Sequence, residues 1–238
     1  MVAYKQFQAR HGGLLHLGLP GIWAFAQPSH PDVLSPQQVI FEDPLALEAA
    51  LPQLEDFYRG HDVQLWRVLV PPGVPAQPLL ERAGYKAEEG GNTAMGISLA
   101  DTSLEPPERT LEKLATLEEL IPLNADAFGP GTAIHLQAWH SGSYPHIRAR
   151  GLREHGLLAA AGLAHDWLDT AGIYLVATSS STRGRGLATE VMRGLLLEAR
   201  ARGLAAAVLQ STELGYGVYR RVGMRDLGLW VNWVRRLG

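Results

Sequence analysis

Ile173-Tyr-Leu-Val-Ala-Thr178, then Ser179 to Thr182, then Arg183-Gly-Arg-Gly-Leu-Ala188, is the stretch on which the reading of this chain turns. An apolar, β-branched run leads into a glycine-rich turn, and a helical pattern follows to about Arg202. Such a turn aims several backbone N–H groups at one point, and the helix dipole adds roughly half a positive charge there. Gly184 and Gly186 keep side chains away from the backbone, and Arg183 and Arg185 add charge. The pattern predicts a pyrophosphate cradle; a plain strand-to-helix turn is the alternative. A Walker A loop would need a Gly-Lys-Ser/Thr ending, which is missing. A dinucleotide fingerprint would need a third glycine where Thr189 stands. Glu213 lies in range of the ribose acid of that fold, but the 25 residues after it are too few to finish a doubly wound sheet.

Working outward, the second half alternates strand and helix. Thr110–Ala115 is a short strand candidate. Thr116 and Glu119 form a capping box that starts a helix ending near Phe128, before Gly129-Pro130-Gly131. Leu157–Ala164 and Ile173–Thr178 read as strands separated by a polar turn at Asp166–Asp169. A helix from Gly186 to Arg202 stops at Gly203. Ala205–Gln210 is a strand, Tyr216–Arg221 a short helix closed by Gly223, and Leu227–Val234 a last strand. Residues 132–156 carry no clear period.

The polar stretch Ala100–Arg109, with Pro106-Pro107, cannot continue a helix or a central strand and marks a linker. It divides the chain into residues 1–104, degenerate or accessory, and 105–238. Leu80-Glu-Arg-Ala-Gly-Tyr85 is echoed 139 residues later by Tyr219-Arg-Arg-Val-Gly-Met224. Both read as a helix end, a glycine stop and an apolar residue opening a strand. The echo raises a duplication whose first copy is worn.

The chain's 238 residues suffice for a sizeable core, and 46% apolar against 19% charged residues exclude a disordered chain. Cysteine is absent, which excludes disulfides, thiolate-bound zinc and a cysteine nucleophile. Net charge is −3, against a general polyanion binder. Residues 1–104 hold 6 basic against 11 acidic residues; residues 105–238 hold 15 against 13. No run approaches the roughly 20 apolar residues of a membrane span, and no secretory leader is visible. The expectation is a cytoplasmic protein that binds neither nucleic acid nor membrane, as a monomer or homodimer.

Three motifs together resemble the GNAT superfamily of acyl-CoA-dependent N-acetyltransferases. Arg183-Gly-Arg-Gly-Leu-Ala188 is similar to its (Gln/Arg)-x-x-Gly-x-(Gly/Ala) signature. Leu175-Val-Ala-Thr178 looks like its fourth strand. Tyr219 to Met224 looks like its Tyr-x-x-x-Gly-Phe ending, with Met224 for phenylalanine. The resemblance covers about residues 108–238. It implies an α/β fold with a mixed, mostly antiparallel sheet flanked by helices, as two tandem GNAT-like halves. It implies acetyl-CoA as co-substrate and no metal, with the pyrophosphate on Arg183, Gly184, Arg185, Gly186, Leu187 and Ala188. The pantetheine arm would run along Leu175, Val176 and Ala177, and Tyr219 would be the general acid. The acceptor would be a primary amine on a small molecule or peptide.

By strict alternation Leu175 and Ala177 face one side of the strand and Val176 the other. No acid stands on Ile173–Thr178, so the base is open among His165, Asp166, Asp169, Glu213 and a water relay; Ala205–Gln210 offers only Gln210. His135, Trp139, His140, Tyr144, His146 and His155 match no zinc spacing and read as a substrate-facing loop region. Trp23, Trp66, Trp167, Trp230 and Trp233 are expected in the core or an interface. The rivals to an enzyme are a CoA- or nucleotide-binding regulatory module without turnover and, from tandem length, a two-domain acyltransferase of thiol biosynthesis.

Overall fold

The computed structural model describes residues 1–11, 14–130 and 144–237. Compactness divides the chain into two units, Met1–Asn92 with Gly228–Gly238, and Thr93–Leu227. The divide therefore does not fall at residues 104 and 105, and the chain's last strand returns to the first unit. Among the described residues no helix is long and apolar enough to cross a membrane.

The first unit contains α1 (Val2–His11), β1 (Leu15–Leu19), β2 (Ile22–Ala26), β3 (Gln38–Phe41), α2 (Pro44–Gly60), β4 (Leu65–Val70), α3 (Gln77–Arg82) and β5 (Lys86–Ala87). The first three strands pair antiparallel in sequence order. β3 and β4 are parallel, joined by α2 as the crossover that parallel strands require. Val231–Arg236, from the final strand β12 (Arg225–Arg236), pairs antiparallel with β4. The Asp43 carboxylate starts α2 by accepting from Leu45 N at 2.9 Å and Ala46 N at 3.0 Å, with Pro44 at the first helical position. The face of α2 that carries Leu47, Ala50, Leu54 and Tyr58 is buried. Tyr58 stacks on Trp66 at 4.6 Å between centroids, and Trp66 Nε1 donates to the Tyr85 hydroxyl at 2.9 Å. Each of these aromatic rings thus keeps a polar partner while filling the core.

The second unit contains β6 (Asn92–Ser98), β7 (Glu112–Lys113), a 3₁₀ turn (Leu117–Glu119) running into α4 (Leu120–Phe128), β8 (Ile147–Glu154), β9 (Leu157–Trp167), β10 (Thr170–Thr178), α5 (Leu187–Ala201), β11 (Ala206–Ser211), α6 (Glu213–Arg221) and the start of β12. Its sheet runs β6-β11-β10-β9-β8-β7, antiparallel except for the parallel pair β10–β11. This is a mostly antiparallel α/β architecture, and it removes the doubly wound alternative. Glu119 accepts from Thr116 N at 3.2 Å and Ala115 N at 2.7 Å, so its carboxylate serves the helix start as the capping box requires. The strand expected at Thr110–Ala115 shortens to two residues, and β8 forms inside the stretch whose period was unreadable. Small residues on β9 admit α5: a Cβ on Gly162 would meet Val176, Leu195 and Val191 at 3.1–3.3 Å. Leu187, Val191, Met192, Leu195 and Leu196 are buried beneath α5 at about 1.5–3 kcal/mol each.

The two units share an order of elements. β2-β3-α2-β4-α3 in the first has the succession of β9-β10-α5-β11-α6 in the second, each with one parallel pair. The echoed hexapeptides close α3 and α6 with the same hydrogen bonds. Gly84 N donates to Glu81 O and Tyr85 N to Leu80 O; Gly223 N donates to Arg220 O and Met224 N to Tyr219 O. Gly84 and Gly223 are both left-handed, at φ 76° and 91°, as this helix stop requires. Among the expected core tryptophans, Trp66 and Trp233 are buried. Trp167 is a correction: it is 57% exposed, because it precedes the Leu168–Asp169 turn rather than packing under a helix.

Candidate active site

β10 pairs with β11 only from Thr170 to Gly172, against Ala206 to Val208. Beyond that point β11 stays paired with β6 as far as Ser211, and β10 goes on with β9 alone. The two parallel strands therefore part, and from Ile173 onward that edge of β10 has no paired strand among the described residues. On its other side the β9 register shifts between Tyr174 and Ala177. Leu175 sits at φ 55°, a left-handed conformation rare for a γ-branched residue. Leu175 and Val176 thus have no ladder partner on either neighbour among the described residues, and their peptide groups are available to a ligand.

The bulge also reverses the alternation. Ala171 and Ile173 lie in the core beneath α5, and strict alternation would put Leu175 there next. Val176 packs against that core instead. One inserted residue moves every later side chain to the other face.

At the end of β10 the chain makes a 3₁₀ turn, Ser180–Thr182, tied to α4: Ser180 N and Oγ both donate to Asp126 at 2.8 Å. Those bonds hold the Asp126 carboxyl below its ordinary range. Arg183 Nη2 donates to Ala127 O at 2.9 Å. Arg185 forms a two-pronged pair with Glu154, at 2.6 and 2.7 Å, and Arg109 joins the same carboxylate at 3.2 Å. Gly184 and Gly186 are left-handed, at φ 78° and 77°, and a Cβ on either would meet nothing within 4 Å. The turn needs glycine for its backbone angles and leaves open space above them. Among the described residues no side chain caps α5, which leaves the N–H groups of its first turn to an anion. Leu187 points inward, 1% exposed, while Ala188 keeps the helix surface small.

Tyr219 and Tyr216 both lie on α6. The Tyr216 hydroxyl donates to Asp226 Oδ2 at 2.9 Å. The Tyr219 ring folds back over Gly215, and its hydroxyl has no partner among the described residues. Burial pushes that phenol up to about 12, so it stays protonated at neutral pH.

The sheet face turned away from α5 holds a polar group that spacing alone did not assemble. His165 pairs across from Gly172, and the Tyr174 ring lies over Gly172, 2.7 Å from the position of a Cβ there. Gly172 pairs with Val208, so Gln210, two residues on, shares this face. Its amide nitrogen is buried with no hydrogen-bond partner among the described residues. Desolvation, reinforced by His146, lowers His165 to about 4 and keeps it neutral; burial raises the Tyr174 phenol. Of the other base candidates, Asp166 is held by Arg202 through bonds of 2.7 and 2.8 Å, Asp169 lies in the β9–β10 turn, and Glu213 is exposed in the first turn of α6. His155 lies in the β8–β9 turn and His146 before β8. His135, Trp139 and His140 lie outside the described residues. No group of three or more potential ligands placed to hold a metal occurs among the described residues.

Residues 113–225 match a family model described as an acetyltransferase (GNAT) domain. These residues belong to the GNAT superfamily. A domain of this family supports acyl-CoA-dependent acetyl transfer in general. A comparison with curated proteins gives no match. Among solved structures, a GCN5-related N-acetyltransferase from Kribbella flavida is 16% identical with TM-score 0.69, covering 100% of this chain and 95% of that one. A GCN5-related N-acetyltransferase from Sphaerobacter thermophilus is 18% identical with TM-score 0.64, over 92% and 78%. A tandem GNAT protein from the clavulanic acid biosynthesis pathway is 11% identical with TM-score 0.57, over 93% and 85%. At these identities the likeness is one of fold.

Proposed function

We propose that the chain is an N-acetyltransferase that moves acetyl from acetyl-CoA to a primary amine of a small molecule or peptide by direct attack on the thioester. The observation that carries this is the open, bulged edge of β10 running straight into an uncapped, glycine-turned helix start. The edge suits the amide-bearing pantetheine arm, and the helix start suits the pyrophosphate. Gly184, Gly186, Leu187 and Ala188 bring backbone to the phosphates. Arg183 and Arg185 border them, with the charge of Arg185 shared by Glu154. Peptide N–H groups at Leu175 and Val176 would polarise the thioester carbonyl as the oxyanion develops. Ala177 continues that edge. Tyr219, free and protonated, would pass its proton to the departing CoA thiolate.

The amine would approach along the face of His165, Tyr174 and Gln210. An alkylammonium near pKa 10 must lose a proton first. With His165 lowered to about 4 and Asp166 committed to Arg202, a water chain is the route for that proton.

The first half is proposed as a degenerate GNAT-like copy. The shared succession of elements and the paired helix stops support this reading. Asp43 explains the loss of its cradle. Its carboxylate occupies the first-turn amides of α2, where α5 leaves them free. Calorimetry with acetyl-CoA, followed by thiol release across a panel of amines, tests the function. Binding with turnover is expected. Binding without turnover on every amine would favour a CoA-binding regulatory module, and absence of binding would overturn both.

A further inference from the structure

The underside of α1 in the first unit holds a polar group that acetyl transfer does not use. Phe25, Gln38 and Arg67 stand side by side across β2, β3 and β4, as the registers Phe25↔Gln38 and Gln38↔Arg67 require. Phe25, Ile40 and Leu69 on that face pack against Val2 and Ala9 of α1. By the two-residue period, Gln38 and Arg67 share the face of Ile40 and Leu69. Lys5 and Gln8, one turn apart on α1, are 7% and 1% exposed, so they belong to the helix side pressed on the sheet.

The group is short of acceptors. Gln8 has neither its amide nitrogen nor its oxygen bonded, and Arg67 Nε is buried without a partner. Arg67 Nη2 reaches Ser35 O at 3.5 Å, and Gln38 Nε2 donates to the same carbonyl at 2.5 Å. The Lys5 ammonium makes no hydrogen bond or ion pair among the described residues, the backbone N–H alone donating to Met1 O. Arg67 is close enough to depress the Lys5 ammonium, which burial has already pushed down to about 7. Among the described residues Glu88 alone acts on Arg67 with opposite charge. Two buried cations beside unpaired donors are unfavourable unless an anion completes them.

We propose that Lys5, Gln8 and Arg67 form a binding site for a small tetrahedral oxyanion, a hydrogenphosphate or the phosphate group of a monoester. Lys5 Nζ, Arg67 Nε and Gln8 Nε2 supply three donors, and Gln8 Oε1 accepts from a P–OH. A carboxylate would leave that oxygen unserved. The burial of Lys5 and Gln8 excludes a macromolecule.

The test is thermal melting of the full chain at pH 6.5 with inorganic phosphate, with glycerol phosphate, and with sodium acetate or chloride at equal ionic strength. The wild type should melt about 3 °C or more higher in saturating phosphate. Acetate and chloride should do less. A rise with inorganic phosphate alone assigns free phosphate; a comparable or larger rise with the ester assigns a phosphorylated metabolite. Lys5→Met and Arg67→Met should each remove most of the rise, and Lys5→Met should melt no lower than wild type without phosphate, since it removes a buried cation. Phosphate can also reach the glycine turn of the GNAT domain, but that share of the rise survives in both variants. The proposal is overturned if the wild type shows no rise, if acetate or chloride raises the melt as much as phosphate, or if both variants keep the rise in full.

Discussion

Two tyrosines three residues apart on α6 meet different fates, and the difference supports the acid role proposed for Tyr219. Tyr216 spends its hydroxyl on Asp226, whereas that of Tyr219 is uncommitted. Tyr219→Phe should lower kcat about 10²-fold or more and leave acetyl-CoA affinity unchanged; steady-state rates beside calorimetry check this, and unchanged turnover removes the acid role. Lys5 makes a separate prediction about stability. Its folded pKa, about 7, lies below the ordinary 10.5, so between those values the unfolded chain holds a proton that the folded chain lacks. Stability should therefore rise with pH across that window by up to about 1.4 kcal/mol per pH unit from this group, and below about pH 7 the group should add no slope. Urea melts at pH 7, 8 and 9 should show this slope, flattened in Lys5→Met. Sequence spacing singles out Tyr219 because its motif is local. It could not assemble His165, Tyr174 and Gln210, whose common face arises from pairing across three strands.

At the scale of elements, helix boundaries were legible wherever their chemistry is local. Glu119, Gly129, Gly203 and Gly223 each stand at or just past a helix end, as their residue types require. The β10 bulge was not legible, because nothing in Ile-Tyr-Leu-Val-Ala marks Leu175 as left-handed; only the pairing with β9 does. Deleting Leu175 should restore strict alternation, close the β9 ladder and lower acetyl-CoA affinity at least tenfold, measured by calorimetry. Leu175→Gly should keep the bulge and bind acetyl-CoA about as the wild type does. Gly186→Ala should lose about 1 kcal/mol of stability from its left-handed angle and weaken acetyl-CoA binding as well; denaturant melts and titration separate the two effects.

Over the whole molecule, the linker at Ala100–Arg109 drew attention away from the strands on either side of it. β6 precedes that linker yet pairs with β11, and the end of β12 follows the second half yet pairs with β4. A cut between residues 104 and 105 therefore strips a strand from each sheet. Residues 105–238 expressed alone should be insoluble or non-cooperative in melting, whereas residues 93–227 should melt cooperatively; circular dichroism of both fragments decides this. The exchange also sets an order in time. β4 leaves the ribosome some 160 residues before its partner Val231–Arg236 is made, a wait of about ten to thirty seconds at ordinary elongation rates. Through that interval the first sheet has an unpaired edge, the surface on which neighbouring nascent chains would join. Completion of the sheet thus waits for a strand made long after its partner, and the yield of native protein should depend on how sparsely ribosomes are loaded on its message.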